Sequence, residues 1–194
     1  MTERRTATER LGAFSDGVFA VIITIMVLDL KPPEQAAFAA LLPLWPTALS
    51  YVISYLFIAI IWINHHRLLR FANDATPQLI WWNFAHLFMV SLIPVSTAWI
   101  AGTRLAAAPV FVYGAVFVLV NLAFLAFQEE ALSQTSDSEA TPRTRHITRV
   151  RALITLGIFV VAMSLAYWSP LWGFGLVCCV LLIYLQPRVP GEDL

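Results

Sequence analysis

The side chains best suited to chemistry in this sequence lie inside stretches that are otherwise apolar. Arg10, Ser15 and Asp16 come at the start of the first apolar stretch, and His86 lies within the third. An ionisable side chain inside a membrane is costly unless it is paired or hydrated, so each of these residues is a candidate functional residue. The favourable field at a helix N-terminus, with Arg10 among the lipid headgroups, is the alternative interpretation of Asp16, but this carboxylate lies more than one turn inside the predicted helix.

The residue types that other chemistries need are missing or badly spaced. His65 and His66 are adjacent and would point about 100° apart on a helix, unlike the i, i+4 pair that a metal site prefers. Cys178 and Cys179 are also adjacent, and such a pair cannot build a disulfide framework or a zinc site. The formal net charge is zero, which gives no bias toward nucleic acid. We therefore expect no enzyme activity, no bound metal or cofactor and no nucleic-acid partner.

The elements that must position the candidate residues are membrane-spanning helices. Hydrophobic residues make up 59% of the 194 residues and charged residues 12%, against roughly 45–50% and 25% in soluble proteins. A spanning helix needs about 20 mostly apolar residues. The sequence therefore predicts an all-α polytopic membrane protein, a single domain over residues 1–194 with six spans at about 11–30, 44–63, 78–100, 109–127, 150–168 and 171–186. The polar segment 128–148 is expected to be a solvated loop.

Lys and Arg are distributed unevenly between the two sides of the predicted spans. Ten of the twelve fall in the N-terminal segment, the second and fourth connections and the C-terminal tail, whereas the opposite side holds Lys31 and Arg104. Because cytoplasmic connections carry the excess of Lys and Arg, both termini are predicted to be cytoplasmic. The expected location is the plasma membrane of a bacterial-type cell.

A short signature in the first span resembles that of one known family. Arg10-x-x-x-Phe14-Ser15-Asp16 is similar to the signature of the transmembrane protein 175 family of potassium channels. The similarity extends to a cluster at the predicted end of the second span and to an Asn and a Pro in the third, which here are Trp62-Ile63-Asn64-His65-His66-Arg67, Asn83 and Pro94. The signature occurs once and no internal repeat is visible, as in the single-repeat prokaryotic members, which assemble as tetramers.

The resemblance implies that the first helix lines the central pore of a homotetramer. In that family the constriction is formed by the residues five, eight and twelve positions after the signature Asp, which are Val21, Thr24 and Leu28 here. On a helical wheel these three share a stripe with Gly17 and Ile25, while the signature Asp falls about 140° away from the first of them. An apolar stripe is also what ordinary helix packing produces, so the wheel alone does not identify a pore.

Polar residues of the first three spans are expected to support this helix. Asp16, His86 and the polar end of the second span should lie at similar depths near the cytoplasmic boundary. We expect the Asp16 carboxylate to be buried and satisfied by such donors, together with Arg10 or Ser15. The supporting network predicted in this way consists of Arg10, Phe14, Ser15, Asp16, Asn64, His65, Asn83 and His86.

Taken with the resemblance, these features predict a potassium-preferring cation channel that conducts passively along a four-fold axis. Its constriction would be made of hydrophobic side chains with a layer of Thr24 hydroxyl groups. Its partners would be further copies of the chain, the lipid bilayer, and potassium and other monovalent cations. Two alternatives remain open: a proton-coupled secondary transporter that uses Asp16 and His86 as a relay, and a membrane-resident scaffold without transport activity.

Overall fold

The computed structural model describes residues 2–135 and 141–185 of the chain, and within these ranges it contains helices and no strand. Seven α-helices follow one another in the described ranges: α1 (Thr2–Met26), α2 (Trp45–Leu69), α3 (Pro77–Val90), α4 (Ile93–Gly102), α5 (Ala107–Ser133), α6 (Pro142–Trp168) and α7 (Pro170–Leu185). Two 3₁₀ segments, Val27–Asp29 and Phe38–Leu44, lie between α1 and α2. The prediction of an all-α fold is confirmed.

Five helical stretches of the described residues are long and apolar enough to cross a membrane. They are Ala7–Asp29, Phe38–Leu69, Pro77–Gly102, Ala107–Ser133 and Arg145–Trp168. The last helix, α7, is also apolar over Pro170–Leu182, but it is shorter. A spanning helix needs about 20 apolar residues, so the five stretches make the chain a multi-pass membrane protein. That α7 forms a sixth span stays a prediction.

The third apolar stretch consists of two helices with a break near its middle. Helix α3 ends at Val90 and α4 begins at Ile93, with Pro94 in the first turn of α4. Proline lacks the N–H that a continuous helix would bond to the carbonyl of Val90, and its ring clashes with that carbonyl. The continuous span predicted over 78–100 is therefore interrupted where Pro94 requires it.

Two helices continue beyond the boundaries that the sequence predicts. Helix α2 runs to Leu69, so the Asn64-His65-His66-Arg67 cluster lies inside the helix instead of closing it. Helix α5 runs to Ser133 and α6 begins at Pro142, so much of the segment 128–148 is helical and not a loop. Packing against the bundle accounts for both extensions, since His65 and Gln128 are fully buried and most helical stability comes from such packing.

The core of the bundle lies around α5, which contacts α2, α3, α4, α6 and α7. Its aromatic residues Tyr113 and Phe117 are buried against Phe57 of α2, Phe159 of α6 and Phe174 of α7. The ring centroid of Phe117 lies 4.5 Å from that of Phe57 and 5.1 Å from that of Phe159. Helix α1 lies at the edge of this core and contacts α2, α3 and α4.

Gly173 marks a close approach of α7 to α6. A Cβ atom at this position would lie 2.8 Å from the Ala162 carbonyl oxygen and 2.8 Å from Cα of Ala166, both of which are backbone atoms. The two helices would have to separate, so we expect Gly173→Ala to lower the free energy of unfolding by about 1–3 kcal/mol, the usual cost of overpacking. Thermal unfolding of the purified protein measures this loss.

Gly175→Ala is the matched control on the same helix, because a Cβ atom at Gly175 would meet nothing within 4 Å. This variant gains helix propensity without a clash, so its melting temperature should be unchanged or slightly raised. Equal melting temperatures for the two alanine variants would contradict the close approach at Gly173.

Candidate pore helix and its polar support

One face of α1 packs against the bundle and the opposite face is uncovered. The packed face buries Phe19, Ile22 and Met26. The opposite face carries all five residues of the predicted pore stripe, each of them exposed: Gly17, Val21, Thr24, Ile25 and Leu28. The exposed fractions of the three large side chains among them run from 48% to 74%. A single chain thus leaves this apolar stripe without a covering helix.

The far end of the stripe is not α-helical. Helix α1 ends at Met26, and Leu28 lies in the 3₁₀ turn Val27–Asp29, so the direction of its side chain departs from the α-helical wheel. Thr24 lies inside α1, and its hydroxyl group is directed to two carbonyl oxygens of the preceding turn, at 3.0 and 2.9 Å. The hydroxyl proton is used within the helix, while the oxygen keeps lone pairs that a cation or a water molecule can meet.

A groove runs between the stripe and the break in the third apolar stretch. It has a volume of about 800 Å³, with Phe14 and Val21 of α1 on one side and Pro94 and Val95 of α4 on the other. Phe14 is half exposed and meets Phe84 edge-on, with ring centroids 5.4 Å apart. The groove is lined mainly by apolar side chains and is open at the surface of a single chain.

Behind the stripe, a chain of buried hydrogen bonds holds α1 to α2 and α3. Nε2 of His65 on α2 lies 2.6 Å from Oδ1 of Asn83 on α3, and Nδ2 of Asn83 donates to the hydroxyl oxygen of Ser15 on α1 at 3.1 Å. Because an amide oxygen only accepts, Nε2 of His65 carries the proton of the first bond. Ser15 in turn donates to the Leu11 carbonyl at 2.9 Å. The side chains of Ser15, His65 and Asn83 are fully buried, so the loss of one would leave another unsatisfied.

Two aromatic rings also pack parallel to the His65 ring. The His86 ring lies parallel to it with centroids 5.8 Å apart, and the Phe127 ring of α5 is stacked on it at 5.2 Å. His86 has a bond of its own, in which Nδ1 donates to the Val120 carbonyl of α5 at 3.3 Å. The three stacked rings therefore extend the support of α1 from α2 and α3 to α5.

Asp16 lies outside this cluster. It is half-buried, and its Oδ1 accepts a hydrogen bond of 2.7 Å from the indole N–H of Trp62. The expectation that histidine and asparagine donors bury and satisfy this carboxylate together with Arg10 or Ser15 is wrong, because Arg10 is exposed and Ser15 is bonded to Asn83. Adjacent helical residues point about 100° apart, so Ser15 faces the bundle while Asp16 lies toward its edge. Trp62 was part of the cluster that the resemblance singled out, but no spacing in the sequence links it to a carboxylate 46 residues away.

The structure also separates Asn64 and His86 from the Ser15 chain of bonds. Both residues line a small cavity between α2, α3, α5, α6 and α7. Among the described residues, the hydrogen bonds of Asp16 and His86 go to Trp62 and Val120, and none joins the two. The direct relay that a proton-coupled transporter would need between Asp16 and His86 is therefore missing from the described part of the chain.

This fold and this helix define a multi-pass α-helical membrane protein whose first helix is anchored by buried polar side chains and offers an apolar stripe on its other face. A family model described as endosomal/lysosomal potassium channel TMEM175 matches residues 10–94, which include the signature, the buried network and the break at Pro94. The chain belongs to the TMEM175 family. It is 33% identical over 178 residues to a potassium channel of Chryseobacterium sp. (strain P1-3), and the match covers 92% of each protein.

Two further comparisons agree with this membership. A potassium channel of Streptomyces collinus is 35% identical over an alignment of 175 positions, and the match covers 82% of each protein. The crystal structure of a lysosomal potassium-selective channel TMEM175 homolog from Chamaesiphon minutus is 27% identical and has a TM-score of 0.83. That match covers 93% of this chain and 97% of the other. The resemblance predicted from the signature is therefore confirmed.

Proposed function

We propose that this protein is a potassium-preferring cation channel assembled from four copies around an axis that the α1 stripe lines. Potassium and other monovalent cations pass passively along that axis across the plasma membrane, without a cofactor. The observation that carries the proposal is the exposure of the α1 stripe, which contains the three residues that the family resemblance assigns to the constriction. The names of the bacterial relatives and of the solved homologue, which are potassium channels, support the choice of permeant ion.

Conduction along α1 requires more than one copy of the chain. A single helix cannot enclose a path for ions, whereas several copies related by a rotation axis can. The groove beside α1 is apolar and open to the surface, and we assign it to the α1 region of a neighbouring copy. Close packing of side chains drives helix association in a bilayer, and a groove of about 800 Å³ offers such packing.

The constriction consists of side chains and not of carbonyl rings. Val21, Thr24 and Leu28 from four copies would form successive rings along the axis. An apolar neck makes each ion shed part of its hydration shell, which is less costly for potassium than for the more strongly hydrated sodium ion, and a neck of this kind can close by dewetting. The Thr24 oxygen supplies one polar layer within it.

The distribution of arginine supports a cytoplasmic location of both termini. Thr135, just after α5, donates to the Phe71 carbonyl at 2.7 Å, and Thr76 donates to Glu130 at 3.0 Å, which joins the second connection to the start of the fourth. Leu11, near the start of α1, packs in the same apolar cluster as the ends of α2 and α5. Arginine-bearing segments thus share one end of the bundle, and such an end faces the cytoplasm.

This orientation predicts which positions an external reagent reaches. In a variant without the two native cysteines, a cysteine introduced at Gln35 should react with a membrane-impermeant maleimide in intact cells, because Gln35 lies between α1 and α2 on the external side. Tags at Thr2, Ser136 and Leu194 should be inaccessible to an external reagent in intact cells. Ser136 and Leu194 lie outside the described residues. Labelling of Ser136 from outside the cell would contradict the six-span topology.

Recording from the reconstituted protein tests the proposed function. In planar bilayers with potassium on one side and sodium on the other, we expect unitary currents whose reversal potential is displaced toward that of potassium. Flux that follows a proton gradient without unitary steps would instead identify a transporter. The absence of any ion flux from correctly folded protein would leave the scaffold reading.

A further inference from the structure

A second polar site lies inside each subunit, away from the α1 stripe. It is a partly open cavity of about 50 Å³ bounded by α2, α3, α5, α6 and α7, with no lining residue from α1. Four phenylalanines and several aliphatic side chains form most of its wall. Five polar side chains complete that wall: Asn64, His86, Asn121, Thr155 and Tyr184.

Two of these polar groups are buried without a hydrogen-bond partner among the described residues. They are Nε2 of His86 and Oδ1 of Asn121, in side chains that are 0% and 9% exposed. Nδ1 of His86 donates to the Val120 carbonyl, so in a ring with one proton Nε2 is an acceptor. The amide oxygen of Asn121 is an acceptor as well. A buried polar atom without a partner is costly, which makes an unpaired pair of acceptors at one cavity an indication of an occupant.

The chemistry and size of the cavity restrict this occupant. Both atoms are acceptors, so an occupant that serves both of them must donate at least two hydrogen bonds. The volume of about 50 Å³ is several times the roughly 10–15 Å³ that one water molecule needs, but well below the roughly 150 Å³ of a cavity that admits benzene. No carboxylate lines the cavity, and a wall rich in phenylalanine does not replace the hydration of a cation.

We propose that this cavity holds a small cluster of water molecules that donates to Nε2 of His86 and to Oδ1 of Asn121. The water fixes the orientation of the His86 ring, which is stacked on His65 at 5.8 Å. His65 in turn bonds Asn83, which bonds Ser15 of α1. The water site therefore continues the polar support of α1 into α5, α6 and α7. The existence of the water cluster does not depend on the proposed ion conduction.

Hydroxyl-radical footprinting in an X-ray beam tests the site directly, because radicals formed from bound water oxidise side chains beside it. In the intact protein reconstituted in nanodiscs, Phe117 should be oxidised much faster than Phe174, although both are buried. Phe117 lines the cavity and Phe174 does not. Asn121→Leu, which removes one acceptor and fills space, should reduce oxidation of Phe117 to the rate of Phe174. Equal rates for Phe117 and Phe174 in the unaltered protein would overturn the proposal.

Melting temperatures of three variants test whether one water cluster serves both acceptors. Asn121→Leu and His86→Phe should each lower the melting temperature, because each leaves the other acceptor with a displaced water. The double variant removes both acceptors and should lose less than the sum of the two single losses. Strictly additive losses would contradict a shared cluster, and the footprint of the unaltered protein decides the matter if a variant does not fold.

Discussion

Replacing Asn83 with leucine is expected to leave little folded protein. Asn83 is fully buried and connects His65 of α2, at 2.6 Å, with Ser15 of α1, at 3.1 Å. Leucine has a similar volume but bonds neither partner, so a buried N–H of His65 loses its acceptor and the Ser15 oxygen loses its donor. Each unsatisfied buried group costs about 1–3 kcal/mol, so the free energy of unfolding should fall by about 2–6 kcal/mol. Thermal unfolding and the yield of assembled protein in size-exclusion chromatography measure the loss.

Asn73→Leu is the matched control for this substitution. Asn73 is exposed, and its amide donates to the Gln134 carbonyl at 2.7 Å. A surface substitution of this kind usually changes the free energy of unfolding by less than about 0.5 kcal/mol. If the Asn83 variant melted at the temperature of the Asn73 variant, the buried network would not be what holds α1 in place.

Replacing Leu28 with alanine should produce the largest change in permeation. Leu28 is 74% exposed at the end of the α1 stripe, and four copies of it would narrow the axis. Alanine widens the neck, so ions keep more of their hydration and the difference between potassium and sodium becomes smaller. We expect a severalfold higher single-channel conductance and a reversal potential, under opposed potassium and sodium gradients, that moves toward zero.

Leu182→Ala serves as the control for the pore substitution. Leu182 is 66% exposed on α7 and is not part of the α1 stripe, so the same side-chain truncation there leaves the proposed ion path unaltered. Conductance and reversal potential should match those of the unaltered protein. A Leu28 variant that permeated ions just as the Leu182 variant does would move the conduction path away from the end of α1.

Much of the fold follows from local properties of the chain. Runs of apolar residues define the helices that cross the membrane. The break between α3 and α4 was not part of the predicted span 78–100, although its cause is local, because the ring of Pro94 cannot continue a helix. The extensions of α2 and α5 are different. The polar residues of these two extensions are typical of loops. His65 and Gln128 are nevertheless buried, by contacts with helices that are distant in sequence. Tertiary packing overrides local propensity at both places.

The sequence predicts one part of the candidate site and misses another. The stripe of Val21, Thr24 and Leu28 follows from helical spacing and the resemblance, and the structure leaves all three uncovered. The buried hydrogen bonds that hold α1 to the bundle do not follow from the sequence. The sequence draws attention to Asp16 because a carboxylate is costly in a membrane, whereas the buried bonds are made by its neighbour Ser15. A rotation of about 100° decides which of two adjacent residues faces the core, and that rotation is set by the packing of the whole helix.

Silver block of introduced cysteines is the most direct test that α1 lines the ion path. In protein whose native cysteines are replaced by serine, single cysteines at Val21, Thr24 and Leu28 would place thiolates in the narrowest part of the pore. Ag⁺ is a monovalent cation that binds thiolates, so potassium current through each variant should stop irreversibly when Ag⁺ is added. A cysteine at Val161, which is 56% exposed on α6, should leave the current unchanged. Persistent current in all three α1 variants, or block at Val161 alone, would contradict a pore lined by the first helix.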